Sequence, residues 1–327
     1  MDIRSPVWRR DDGQTTVEWI GLVVLVSALL LGTLAATGAR VPGASLARSI
    51  AAKTVCALEL DDTCAEAPEL VAEYGLETAG LVRDHAPWVL YEKGMTALPV
   101  DFRSCRETSC SGGPESGIVT STESGLPVTA FVHVADCREG AAAPEKMLDC
   151  SGQRAGNLYI QYWFYYPDSA TAEGTGITKE AFEALGRPGF HPDDWESYQV
   201  RIGARGSDSR AGSHHGYNYE GGVRNWGSDL GSDDLRDLSE FAGVRPRGGW
   251  GPETGVIWVS GGSHAGHVRD NAAKLADGDY PRATPDDRLT LIPLEPIARG
   301  EGGAPPSFAI VPPWLKEVWE DPEFETG

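Results

Sequence analysis

The stretch Leu158-Tyr159-Ile160-Gln161-Tyr162-Trp163-Phe164-Tyr165-Tyr166-Pro167-Asp168 decides how the chain folds. Apolar and aromatic residues fill both alternating sets of positions. The segment therefore reads as a strand covered on both faces, central in its sheet and buried. Asp168, just past Pro167, falls where that strand leaves the core. Downstream, His191-Pro192-Asp193-Asp194-Trp195-Glu196 runs into Ser197-Tyr198-Gln199-Val200-Arg201. A strand opening at Asp194 puts Asp194, Glu196, Tyr198 and Val200 on one face and Trp195, Ser197, Gln199 and Arg201 on the other. Two carboxylates about 7 Å apart on a face shared with Tyr198 and Val200 repel each other unless a cation lies between them. The other way to satisfy them is through backbone donors or pairing with Arg187 or Arg201. His191, in a turn stiffened by Pro192, is placed to fold back over the pair.

Working outward, residues 98–327 alternate Val-, Ile-, Thr- and aromatic-rich runs with Gly, Pro and Ser turns. They read as one mainly β domain, a β-sandwich with helical decorations. Strands are expected near 117–121, 127–135, 157–167, 194–202, 254–260 and 288–294, and short helices near 178–185 and 232–242. Residues 203–253 are Gly-rich and read as a long loop. Five of the seven histidines (His191, His214, His215, His264 and His267) fall in one part of this domain, which points to a single site. Carboxylates from Asp168, Asp194 and Glu196 with the imidazole of His191 form an oxygen-dominated set. Such a set suits a divalent cation of the Ca, Mg or Mn kind better than a closed zinc site. His264 stands by as an orienting group or a further ligand. A rival reading starts from Val256–Val259 running into Gly261-Gly262-Ser263-His264, a strand entering a tight turn. That approximates a nucleophile elbow with Ser263 on the turn and an acid and a His to be supplied elsewhere, although Ala265 replaces the second Gly of that pattern. In a metal-assisted hydrolase, His191 or His264 would be the general base.

From Trp19 to Gly38 the chain carries no charged residue, and about 20 residues at ~1.5 Å each span a hydrocarbon core. The expected organisation is a cytoplasmic leader at 1–13 and a transmembrane helix at 14–38, crossing through residues 19–38. A helical stalk follows at 39–97, then the β domain at 98–327. That makes a single-pass cell-membrane protein with its C-terminal domain outside the cytoplasm. All six cysteines lie beyond the apolar run, as near neighbours: Cys56 and Cys64, Cys105 and Cys110, Cys137 and Cys150. Six cysteines allow fifteen pairings, and short separations favour the three local ones. Disulfides in turn fit an exported domain. Forty-eight Asp and Glu against 28 Lys and Arg give a formal charge of −20, which repels a phosphate backbone and argues against nucleic acid as a partner.

Two resemblances extend this reading. Gly13-Gln14-Thr15-Thr16-Val17-Glu18 followed by the apolar run resembles the leader of tight-adherence pseudopilins. The resemblance implies cleavage after Gly13, with Glu18 at the fifth mature position, and a minor pseudopilin as one identity for the chain. His191-x-x-Asp194-Trp195-Glu196 resembles the core motif of the necrosis- and ethylene-inducing-like proteins and of the vacuolar protein sorting-associated family sixty-two. The order of the aromatic strand ending at Asp168, of Ser213-His214-His215-Gly216 and of Gly262-Ser263-His264-Ala265 agrees with it. It implies a β-sandwich holding a divalent cation through Asp168, His191, Asp194 and Glu196. The implied role is binding a surface ligand, a glycan or lipid headgroup, or toxin-like attack on another cell. The sequence departs from the first family's motif at Asp193, where a second His would stand, and at Phe190, where a Gly would. A metal-dependent or Ser263-based hydrolase is the alternative function.

Overall fold

The computed structural model describes residues 26, 67–91, 97–113, 117, 119–138, 149–170, 190–213, 249–259, 264, 266–268, 282–283 and 289–324. The leader with Gly13 and Glu18, Cys56, Cys64, Ser263, the helices expected at 178–185 and 232–242, and all of 19–38 but Val26 lie outside them. No helix among the described residues is long and apolar enough to cross a membrane.

The chain divides between Ala79 and Gly80 into two compact units. Helix α1, Pro68–Tyr74, starts with a proline whose missing N–H is no loss in a first turn, and it buries Leu70 and Val71. Gly75, at φ 79°, separates it from α2, Leu76–Asp84. The second unit is mainly β. Its larger sheet contains β2 (Thr129–Asp136), β3 (Leu158–Ala170), β4 (Phe190–Gly203), β5 (Gly206–Ser213), β6 (Gly251–Pro252) and β10 (Thr290–Pro293), in the order β10-β2-β3-β4-β5-β6. All neighbours are antiparallel except β10 and β2. The smaller sheet has the order β8-β7-β1-β9, from β1 (Trp88–Tyr91), β7 (Val256–Val259), β8 (Gly266–His267) and β9 (Arg282–Ala283), with β1 parallel to β7. The aromatic strand is indeed interior: β3 lies between β2 and β4 and is buried from Leu158 to Pro167.

The register sorts side chains to two faces. Tyr166 lies opposite Asp194, Phe164 opposite Glu196 and Tyr162 opposite Tyr198, so these even-numbered residues share one face. That face meets the smaller sheet, where the Gly255 N–H donates to Tyr198 Oη at 3.1 Å. The odd-numbered face carries an aromatic layer. Phe102 has its ring centroid 5.1 Å from Phe131, 5.7 Å from Tyr165 and Trp195, and 5.2 Å from Phe308. Burying aromatic rings in this edge-on and tilted arrangement is the main apolar contribution to the unit. The C-terminal segment, which includes α3 (Glu295–Ala298) and α4 (Glu317–Glu320), straps the same face. Gln161 Nε2 donates to Val318 O at 2.7 Å, Tyr159 Oη donates to Glu323 Oε1 at 2.8 Å, and Arg210 Nη2 donates to Pro322 O.

Several expectations need correction. The stretch 39–97, read as a helical stalk, includes a strand, because Trp88-Val89-Leu90-Tyr91 finds an edge to pair with in β7. Within 203–253, read as loop, Gly206–Ser213 pairs with β4 along its length. Around 117–121, only Ser121 forms a bridge, to Pro127, among the described residues. Strand β4 starts at Phe190, so His191 and Pro192 lie in a strand and not in a turn. Among the described residues β5 pairs with β4 from Glu196 onward, and Pro192 lies outside that ladder. Two local disulfides form as expected, Cys105–Cys110 and Cys137–Cys150.

Candidate functional site

Asp194 and Glu196 project from the even face of β4 into the space between the sheets, and both are essentially without solvent exposure. Opposite them, the chain leaving β7 delivers His264 and then Gly266. His264 Nδ1 lies 3.1 Å from Asp194 Oδ2. Against an ionised carboxylate, which only accepts, that nitrogen is the donor. The Gly266 N–H donates to Glu196 Oε2 at 3.1 Å. The imidazole of His264 stacks on Tyr166, with centroids 4.1 Å apart and planes at 11°.

Tyr166 and Tyr91 add two buried hydroxyls, neither of which has a hydrogen-bond partner among the described residues. Burial, then the charges that Tyr91, Glu196 and Asp194 present, holds the Tyr166 hydroxyl well above the ordinary tyrosine range. Burial does the same at Tyr91. Both stay neutral and able to donate. Lys316 feels the same acids: burial pushes its ammonium down, while Glu196 and Asp194 push it back up.

Backbone strain collects at this point. Among the described residues only two non-glycine residues have left-handed φ, Asp193 at 61° and His264 at 55°. One precedes Asp194 and the other is its partner. Such conformations cost on the order of 1 kcal/mol or more and persist where the surroundings over-determine them, as functional sites do. Asp193 is over-determined by Tyr165 Oη at 2.6 Å, the Ala309 N–H at 2.8 Å and Arg106 Nη2 at 2.8 Å, all on the aromatic side of the sheet.

Of the residues singled out in the sequence, the structure brings together Asp194, Glu196 and His264. Asp168 lies opposite Pro192 in the strand pair, with Thr108 Oγ1 3.4 Å from its Oδ2. His191 pairs with Ser169, and its Nδ1 lies 3.3 Å from Pro192 O. Among the described residues no three or more His, Cys, Asp or Glu side chains are arranged to hold a metal ion. Tyr91, Tyr166 and Arg106 escaped the sequence reading. Tyr166 carried a signal, as a tyrosine on the face of Asp194; Tyr91 and Arg106 reach the region only through tertiary structure. No family model, curated protein or solved structure matches the chain.

Proposed function

We propose that the second unit is an exported β-sandwich, tethered through residues 19–38, whose buried Asp194 and Glu196 carboxylates take up a divalent cation together with a surface ligand, with His264 as the orienting group. Two packed sheets and two disulfides support the sandwich and its export. The observation that carries the site is the buried Asp194–His264 hydrogen bond between the sheets, with strained backbone on both sides. Two carboxylates without solvent exposure are hard oxygen donors of the kind that suit Ca, Mg or Mn. The protein supplies an incomplete shell, so the ligand's own oxygens complete it. A glycan or lipid headgroup has such oxygens. The test uses the full chain in detergent. Mn²⁺ content after dialysis and the Ca²⁺-induced rise in melting temperature should both fall to background in Asp194→Ala and Glu196→Ala. Unchanged values in those variants sink the proposal.

A second reading draws on the same geometry. An imidazole held at Nδ1 by a carboxylate is what a general base requires, which favours a hydrolase. Turnover of an ester or glycan substrate that a chelator abolishes would mark a metal-dependent enzyme. Covalent capture of Ser263 by a fluorophosphonate would mark a serine one. The pseudopilin reading requires a mature N-terminus beginning after Gly13.

A further inference from the structure

We infer that the loop closed by Cys105–Cys110 is a clamp that positions Asp194 against His264, acting through Arg106 and Asp193. The inference rests on the reading of that pair as the functional centre. Only Arg106, Glu107, Thr108 and Ser109 stand between the two half-cystines. Two of these four side chains reach the β3–β4 pair where the candidate site begins. Arg106 Nη2 donates to Asp193 at 2.8 and 3.0 Å and to Ser307 O at 2.9 Å, and its guanidinium lies 5.0 Å over the Phe308 ring. Thr108 reaches Asp168.

Asp193 and Asp194 are consecutive in β4, so one faces the aromatic layer and the other the second sheet. The left-handed φ of Asp193 lies at the point where the two carboxylates part. An aspartate tolerates this conformation without preferring it, so its side-chain partners have to hold it. Arg106 is the cation that pairs with this buried carboxylate. Without it the group gains by turning toward water, and that rotation carries the following peptide and Asp194 with it. Closing so short a loop by a disulfide removes most of the conformational freedom that would let Arg106 leave. Arg106 is thus a positioning residue, and oxidation of the cysteine pair sets the site.

The experiment follows the imidazole N–H signal of His264 bonded to Asp194, in ¹⁵N-histidine-labelled full chain in detergent. The signal is assigned by its loss in His264→Gln. Arg106→Ala and the double variant Cys105→Ser/Cys110→Ser should lose or broaden it, while far-UV circular dichroism stays sheet-like. Asp193→Asn, which accepts left-handed φ, should keep it. Arg106→Gln, the mild variant, should shift it partway. A folded Arg106→Ala, or Arg106→Gln, with the signal at its wild-type position overturns the clamp. Signal loss in Arg106→Ala with no Mn²⁺ uptake by the wild type keeps the clamp and removes the cation. Mn²⁺ uptake with an unmoved signal does the reverse.

Discussion

Gly266, in the smaller sheet, lies directly against the larger one, its N–H on Glu196. A Cβ built there would lie 2.6 Å from Ile257 Cδ1 and 3.8 Å from the Ser197 carbonyl oxygen. The nearest atom is the end of a flexible side chain, so Ile257 rotates rather than the sheets parting. Gly266→Ala should therefore cost about 1–2 kcal/mol in urea unfolding. Phe102 sits at the centre of the aromatic layer and is 1% exposed. Phe102→Ala should remove about 3–5 kcal/mol, read from the same unfolding curves. The face shared by Asp194, Glu196 and Tyr198 was legible because strand alternation is a local property. The strained backbone at Asp193 was not. Its left-handed φ depends on Arg106 and Ala309, which come from distant parts of the chain.

The segment just past helix α2 is held to the connection between β6 and β7 by an ion pair. His85, which follows the helix's last residue, has Nδ1 2.7 Å from Glu253 Oε2. The Glu253 hydrogen bond raises the His85 pKa; burial opposes it, and the Glu253 and Asp84 charges assist. The folded imidazole thus keeps its proton to higher pH than the unfolded one. Its stabilisation is full below the unfolded value of about 6.5 and disappears as pH climbs through the folded value above it. His85→Gln should lower stability by about 1 kcal/mol at pH 5.5, allowing for partial exposure, and by almost nothing at pH 9. Thermal melts at the two pH values check this. Among elements, β3 and β4 could be read because they are long and patterned. β1 could not: four apolar residues fit a helix or a strand equally well, and only an available edge chooses. Strand β5, Gly206-Ser207-Asp208-Ser209-Arg210-Ala211-Gly212-Ser213, has no apolar alternation at all and owes its conformation to pairing with β4.

For the molecule as a whole, cross-links matter beside packing. Cys137–Cys150 closes a loop with a sequence separation of 13. By loop-closure entropy, replacing both cysteines by serine should destabilise the unit by about 3 kcal/mol. A lower midpoint in guanidinium, with an unchanged slope, is the expected signature. Both described pairs were readable from spacing alone, since neighbours in sequence close most readily. The pairing of β1 with β7 was not readable, because it joins segments far apart in the sequence.

That last feature has a consequence for biosynthesis. Trp88–Tyr91 is made early, yet its parallel neighbour Val256–Val259 is among the later segments to emerge. A nascent chain delivered N-terminus first holds an apolar ribbon with bare edges through most of its translation, a period in which proteases and other unfolded chains compete for it. Any truncation upstream of residue 256 leaves that ribbon permanently orphaned.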